Sequence, residues 1–158
     1  MSGDFDVRVK LYALDAPART LRYYRDTPQT AAGLHVSGGN YGVGLYRWMA
    51  VHKHNGFLQD GMQDCGWLAC HYPNGGSGRS LDECEPGRSL HLRVVRKGKE
   101  VAAHTSPDGE NWKAWPVTGA GPGQEMVLPE TVTVGLFVGQ TTSQACAASF
   151  ADFVIGKP

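Results

Sequence analysis

The sequence predicts an all-β chain folded as two antiparallel sheets packed face to face. Three observations predict it. Apolar residues recur with period two in most segments, the pattern of half-buried strands. The runs are broken by Gly-containing turns, and the 21 glycines suit short connections between strands. No segment holds a helical period beyond a turn or two. At 158 residues the chain can bury one substantial core, so a single domain spanning 1–158 is expected.

The elements follow in order. Phe5, Val7, Val9 and Leu11 alternate with Asp6, Arg8 and Lys10 in a first strand. Residues 27–32 read as polar and turn-rich, 33–36 as a short strand, and Ser37-Gly38-Gly39-Asn40 as a turn. A long strand covers 41–54. Asn55-Gly56 is a strong hairpin signal, so 57–62 returns beside it. Residues 63–87 break the pattern with Cys65, Cys70, Cys84, Pro73, Pro86 and the run Asn74-Gly75-Gly76-Ser77-Gly78. They read as a long loop, and a loop of that length in a compact domain is usually functional or disordered.

The clearest pattern comes next. Leu90, Leu92 and Val94 alternate with His91 and Arg93; Lys97-Gly98 turns; Val101, Ala103 and Thr105 alternate with Ala102 and His104. That is a half-buried hairpin, closed by the turn residues Pro107-Asp108-Gly109. Trp112 caps the sandwich edge. Residues 114–129 are another Gly/Pro-rich connection. Residues 131–140 form a strand with Val132, Val134, Leu136 and Val138 on one side. The last strand is 148–155, with Phe150 and Phe153 in the core.

Composition narrows the function. Fifteen basic and fifteen acidic side chains give zero formal charge, which argues against a nucleic-acid partner. No window approaches the roughly 18 apolar residues of a membrane helix. Met1-Ser2-Gly3 runs straight into the first strand pattern; no signal peptide is visible there, which says little about localisation. There is no phosphate-binding or dinucleotide fingerprint; the glycines at 38, 39 and 42 lead into a strand, not a helix.

The strand at 41–54 is the strongest functional lead. Val43, Leu45, Met49 and Val51 form its core side, interrupted by Arg47. Tyr46, Trp48, His52 and His54 form the other. Aromatic rings beside hydrogen-bonding groups suit sugars: the ring covers the apolar sugar face and polar groups read hydroxyls. Trp67 and Tyr72, on the expected loop, could close over such a ligand. His91, Arg93 and His104 lie on the polar sides of their own strands and converge with the stripe if those strands share its sheet. His52 and His54, two apart on a strand, could also reach one metal ion. No acidic ligand at a matching spacing follows, so two surface histidines is the preferred reading.

The segments GDFDVRVKL, AGLHV, LHLRVVRKGKEVAAHTSPDGENW, VTVGLFVG and ASFADFVIG resemble, in this order, the concanavalin A-like or laminin-G-like β-sandwich. Within it the chain is similar to the small domains, DUF1349-type among them, found beside glycoside hydrolases. The resemblance implies a two-sheet jelly roll. It also implies a non-catalytic carbohydrate-binding module of a larger extracellular or periplasmic protein, with neighbouring domains or a second copy as further partners. Calcium is the metal such sandwiches commonly hold, with Asp4, Asp6 and Asp152 as candidates and no cofactor required. The even cysteine count favours disulfides, with Cys65–Cys70 or a link from either to Cys84 all open. The alternatives are a structural or protein-interaction sandwich, with Tyr46 and Trp48 covered by the cysteine loop, and a polysaccharide hydrolase or lyase. The hydrolase carboxylate pattern is absent.

Overall fold

Two five-stranded antiparallel sheets make up the computed structural model, which describes residues 2–17, 28–54, 57–85, 87–117, 126–141 and 145–158, with backbone only at 52–54 and 57–61. The strands are β1 (Phe5–Leu14), β2 (Gln29–Gly38), β3 (Tyr41–His54), β4 (Phe57–Tyr72), β5 (Gly75–Glu83), β6 (Leu90–Lys97), β7 (Glu100–Ser106), β8 (Lys113–Pro116), β9 (Thr133–Gln140) and β10 (Ala148–Gly156). The back sheet runs β10-β1-β6-β7-β8, and the front sheet β5-β4-β3-β2-β9. There is no helix among the described residues.

Period-two alternation decides what meets between the sheets. Phe5, Val7 and Val9 of β1, with Leu92 and Val94 of β6, face Leu34, Val36, Val43 and Leu45 of β2 and β3; all are at most 2% exposed. Each such burial stabilises by roughly 1.5–3 kcal/mol. Arg47 interrupts this series at only 4% exposure because it is fully engaged. It donates to both carboxylate oxygens of Asp64 (2.8 and 2.5 Å) and to the carbonyl of Arg88 (2.6 Å).

The β6–β7 hairpin is as the sequence predicts, with Lys97 opposite Glu100 and Gly98 at φ 58° in the left-handed region. The turn after β7 is held by Asp108, whose carboxylate accepts the N–H of Glu110 and of Asn111, each at 2.8 Å. Those donors and the Asn111 side chain hold it well below the usual carboxylate range.

Several expectations need correction. The strand expected at 33–36 is β2, which already begins at Gln29. Phe150 packs against the core, but Phe153 is exposed on β10, an edge strand. The expected loop at 63–87 is mostly strand: β4 continues to Tyr72 and β5 returns beside it. The Asn55-Gly56 turn lies outside the described residues, while the flanking pairs Lys53–Leu58 and His54–Phe57 are those of a hairpin.

That correction also removes the disulfides: Cys65, Cys70, Cys84 and Cys146 are free thiols. Cys65 and Cys70 are five residues apart on one strand, about 16 Å, against the 4.4–6.8 Å between Cα atoms that a disulfide spans. Cys65 pairs with Glu83, one place out of step with Cys84, whose N–H donates to the Asp64 carbonyl. Cys70 pairs with Ser77, farther along the sheet. Burial pushes the Cys65 thiol up to about 11 and that of Cys84 to about 12.

Candidate functional site

Residues directly opposed in an antiparallel pair point to the same side of the sheet. Four rows therefore cross the outer side of the front sheet from β9 through β2 and β3 to β4. They are Thr133–Ser37–Gly42–His71, Gly135–His35–Gly44–Ala69, Phe137–Gly33–Tyr46–Trp67 and Gly139–Ala31–Trp48–Cys65. On β2, Gly33 stands between Phe137 and Tyr46 and Ala31 beside Trp48, while Tyr46 and Trp67 are directly opposed.

The glycines let the rings lie down. A Cβ on Gly44 would fall 2.0 Å from Tyr46 Oη; one on Gly139, 2.7 Å from Phe137 Cζ; one on Gly78, 2.7 Å from Trp67 Cζ2. Each ring thus covers bare backbone and turns its other side outward. Trp48 and Trp67 touch with centroids 5.3 Å apart, and Tyr46 and Phe137 at 5.2 Å. The result is an aromatic band across four strands.

Polar groups sit inside the band. Tyr46 Oη and His35 Nδ1 share a hydrogen bond of 2.8 Å, and the His71 ring lies 6.1 Å from that of His35. Burial raises the Tyr46 phenol to about 12, so it keeps its proton. Burial, then His71, holds His35 below its ordinary value, so it is neutral at neutral pH. Trp48 Nε1 donates to Gln29 Oε1 at 3.1 Å, fixing the indole. Between Trp48 and Phe137 lies a gap of about 260 Å³, floored by Ala31 and Gly139 and edged by Gln29 and Gln140.

The predicted residues divide. Tyr46, Trp48 and Trp67 lie together on this face. The side chains of His52 and His54 lie outside the described residues. Tyr72 is 8% exposed and belongs to the core, because its parity on β4 is that of Leu68 and Cys70. His91, Arg93 and His104 do not converge with the stripe: β6 and β7 belong to the back sheet, and these residues face away on the opposite side of the molecule.

On that opposite face Arg93, Asp6, His91 and Trp112 engage one another, while His104 Nδ1 is buried without a hydrogen-bond partner among the described residues. Arg93 donates to Asp6 through Nε (2.9 Å) and Nη2 (2.6 Å). Burial works to raise Asp6, but Arg93 and then Arg8 outweigh it and hold it below its usual value. The Arg93 guanidinium lies 5.6 Å from the Trp112 ring centre, and His91 meets the same ring edge-on. Asp4 accepts the Gly98 N–H at 2.6 Å. Asp152, at φ 51°, sits in a hollow with Arg8, Lys10 and Trp112. The three calcium candidates are not brought together, and no three His, Cys, Asp or Glu among the described residues gather to hold a metal ion. A further cleft of about 290 Å³ at the end of the sheets is edged by the ion pairs Lys113–Asp82 and Arg88–Glu85 and by Glu83.

Sequence reasoning missed His35, His71, Phe137 and Gln29. A signal existed for two of them: His35 alternates with Leu34 and Val36, and His71 with Cys70 and Tyr72. Phe137 stands between Leu136 and Val138, and Gln29 preceded the predicted strand.

No family model matches the chain, and no curated protein matches it. Solved structures do. A functionally unknown protein from Saccharomyces cerevisiae is 13% identical, with a TM-score of 0.59 over 100% of this chain and 71% of that one. The GH43 BlXynB protein from Bacillus licheniformis is 16% identical, with a TM-score of 0.57 over 93% of this chain and 26% of that one. The chain thus spans about a quarter of the BlXynB protein. At these identities the likeness shows the shared β-sandwich fold. Among the described residues, no helix is long and apolar enough to cross a membrane.

Proposed function

We propose that the outer face of the front sheet is a non-catalytic carbohydrate-binding surface, carried by a module of a larger extracellular or periplasmic protein. One observation carries the reading: the rings of Tyr46, Trp67 and Phe137 are laid flat over glycines. Flat, outward rings cover the C–H faces of sugars, while His35, His71 and Gln29 supply hydrogen bonds to hydroxyls. The similarity of the fold to about a quarter of a GH43 protein, and the resemblance to DUF1349-type domains, are why an accessory module is the form proposed. An interaction sandwich with Tyr46 and Trp48 under a cysteine loop is less well supported, since that stretch lies beside them in the same sheet.

Affinity electrophoresis against a panel of polysaccharides tests the proposal. Trp48→Ala should weaken binding by at least about tenfold, while Trp112→Ala on the back sheet should not change it. Absence of binding by the wild type to every glycan refutes it. The Tyr46–His35 hydrogen bond favours one second reading, a lyase using a protonated phenol beside a neutral imidazole. Its sign would be unsaturated product, seen by ultraviolet absorbance, that disappears in Tyr46→Phe.

A further inference from the structure

We infer that the ligand is a neutral pyranoside, with one sugar ring seated in the gap between Trp48 and Phe137, and that uronic-acid and sulfated chains are rejected. This rests on the carbohydrate reading of the same face.

The gap has the required form. Its walls are the two aromatic residues, its floor is Ala31 and Gly139, and its polar edges are the amides of Gln29 and Gln140. None of these carries a formal charge. Gln29 Oε1 accepts from the Trp48 indole, so what Gln29 presents to hydroxyl oxygens is the donor side of its own amide. The neighbouring imidazole of His35 is neutral at neutral pH and hydrogen-bonded to a protonated phenol.

The charges lie elsewhere. Among the residues of β2, β3, β4, β5 and β9 whose side chains are described, Glu83, opposite Cys65 at the end of β5, is a formal charge in register with this face, and Asp82 beside it is paired with Lys113 of the back sheet. Arg47 and Asp64 are paired in the interior, with side chains 5% and 9% exposed. Arg79 donates to the Pro116 carbonyl of the back sheet at 2.6 Å. Arg8, Lys10 and Arg93 lie on the opposite outer face. A carboxylate or sulfate entering the gap would lose water without meeting a guanidinium or ammonium, the groups that compensate such a charge. Glu83 would repel it. A neutral pyranoside places its C–H faces on the two rings and its hydroxyls on amides and imidazoles, and loses nothing comparable.

Calorimetric titration with length-matched neutral, uronic and sulfated oligosaccharides near neutral pH is the test. Neutral ligands should bind at least about tenfold tighter than their acidic counterparts, with an affinity that is flat from about 0.05 to 0.5 M salt. An acidic oligosaccharide that binds as tightly as its neutral counterpart, and is released by salt, overturns the inference and leaves the carbohydrate reading standing. Binding by neither class overturns both. Neutral binding that survives Trp48→Ala and Phe137→Ala unchanged overturns the seat assigned to the sugar.

Discussion

The two outer faces of the sandwich are built from the same alternation and end in opposite chemical states. On the back sheet, long charged side chains lie across the strands and engage their neighbours, as Arg93 pairs with Asp6 and lies over the Trp112 ring. On the front sheet, glycine and alanine separate large rings, and what is left outward is aromatic surface and neutral imidazole. A face whose groups pair internally has little to offer a ligand. A face whose rings are pinned flat, and whose polar groups are only partly engaged, is organised before a ligand arrives.

Substitutions can break this contrast from either side. The largest stability effect belongs to the back. Asp6 is 5% exposed and its loss strands the guanidinium of Arg93. Because the Arg93 side chain is 26% exposed, water screens part of that loss. Asp6→Ala should therefore cost about 2 kcal/mol rather than the full range for a buried pair. Chemical denaturation reads the loss, and glycan affinity should stay unchanged. If Asp6→Ala abolishes binding while the protein remains folded, the division of labour is wrong.

The next effect belongs to the front. Gly44→Ala places a methyl where Tyr46 Oη now lies, so the phenol must lift and its bond to His35 must break. The expected cost is about 1 kcal/mol, together with a severalfold weaker affinity, read by melting and titration on the same sample. Gly135→Ala, where a Cβ meets nothing within 4 Å, is the control. Equal effects from the two would show that the ring over Gly44 does not matter.

The smallest effect is in pH dependence. His35 titrates below its ordinary value of 6.5 in the folded chain, so the unfolded chain binds the extra proton first. Its contribution is complete above 6.5 and is lost as pH falls through the lower, folded value. His91 and His104 are also held down, by burial and then by Lys10 and Arg93 respectively, and act in the same direction. His35→Gln should therefore remove only part of the stability lost as pH falls below 6.5. The contribution of Asp6 on the back is complete above its ordinary 3.8 and is lost in a separate window, as pH falls through its lower, folded value. A denaturation midpoint that does not change on acidification through the histidine range contradicts these directions.

Much of this was legible in the chain. The alternation of Leu92 and Val94 with His91 and Arg93 gave the β6–β7 hairpin, and the two-sided pattern of β3 separated Val43 and Leu45 from Tyr46 and Trp48. The second half of β4 and all of β5 were hidden because the cysteines, Pro73, Pro86 and the run Asn74-Gly75-Gly76-Ser77-Gly78 read as loop. A glycine inside a strand more often marks the close approach of another group, and Gly78 makes room for the ring of Trp67. The period-two run from Trp67 to Tyr72, with Leu68, Cys70 and Tyr72 on one side, was the stronger signal. Sheet membership was not legible. Nothing local to His91, Arg93 and His104 says that β6 pairs with β1 rather than with β3, since that choice is made by long-range packing.

The four tryptophans allow the two faces to be read in one experiment. Trp48 and Trp67 lie on the front face, Trp112 on the back, and Trp115 on β8 donates its Nε1 proton to Thr105 Oγ1 at 2.8 Å. Titrating a neutral oligosaccharide while following the indole N–H resonances should shift Trp48 and Trp67 and leave Trp112 and Trp115 in place. Shifts at Trp112 with the front pair unmoved would put the ligand on the opposite face and contradict the account.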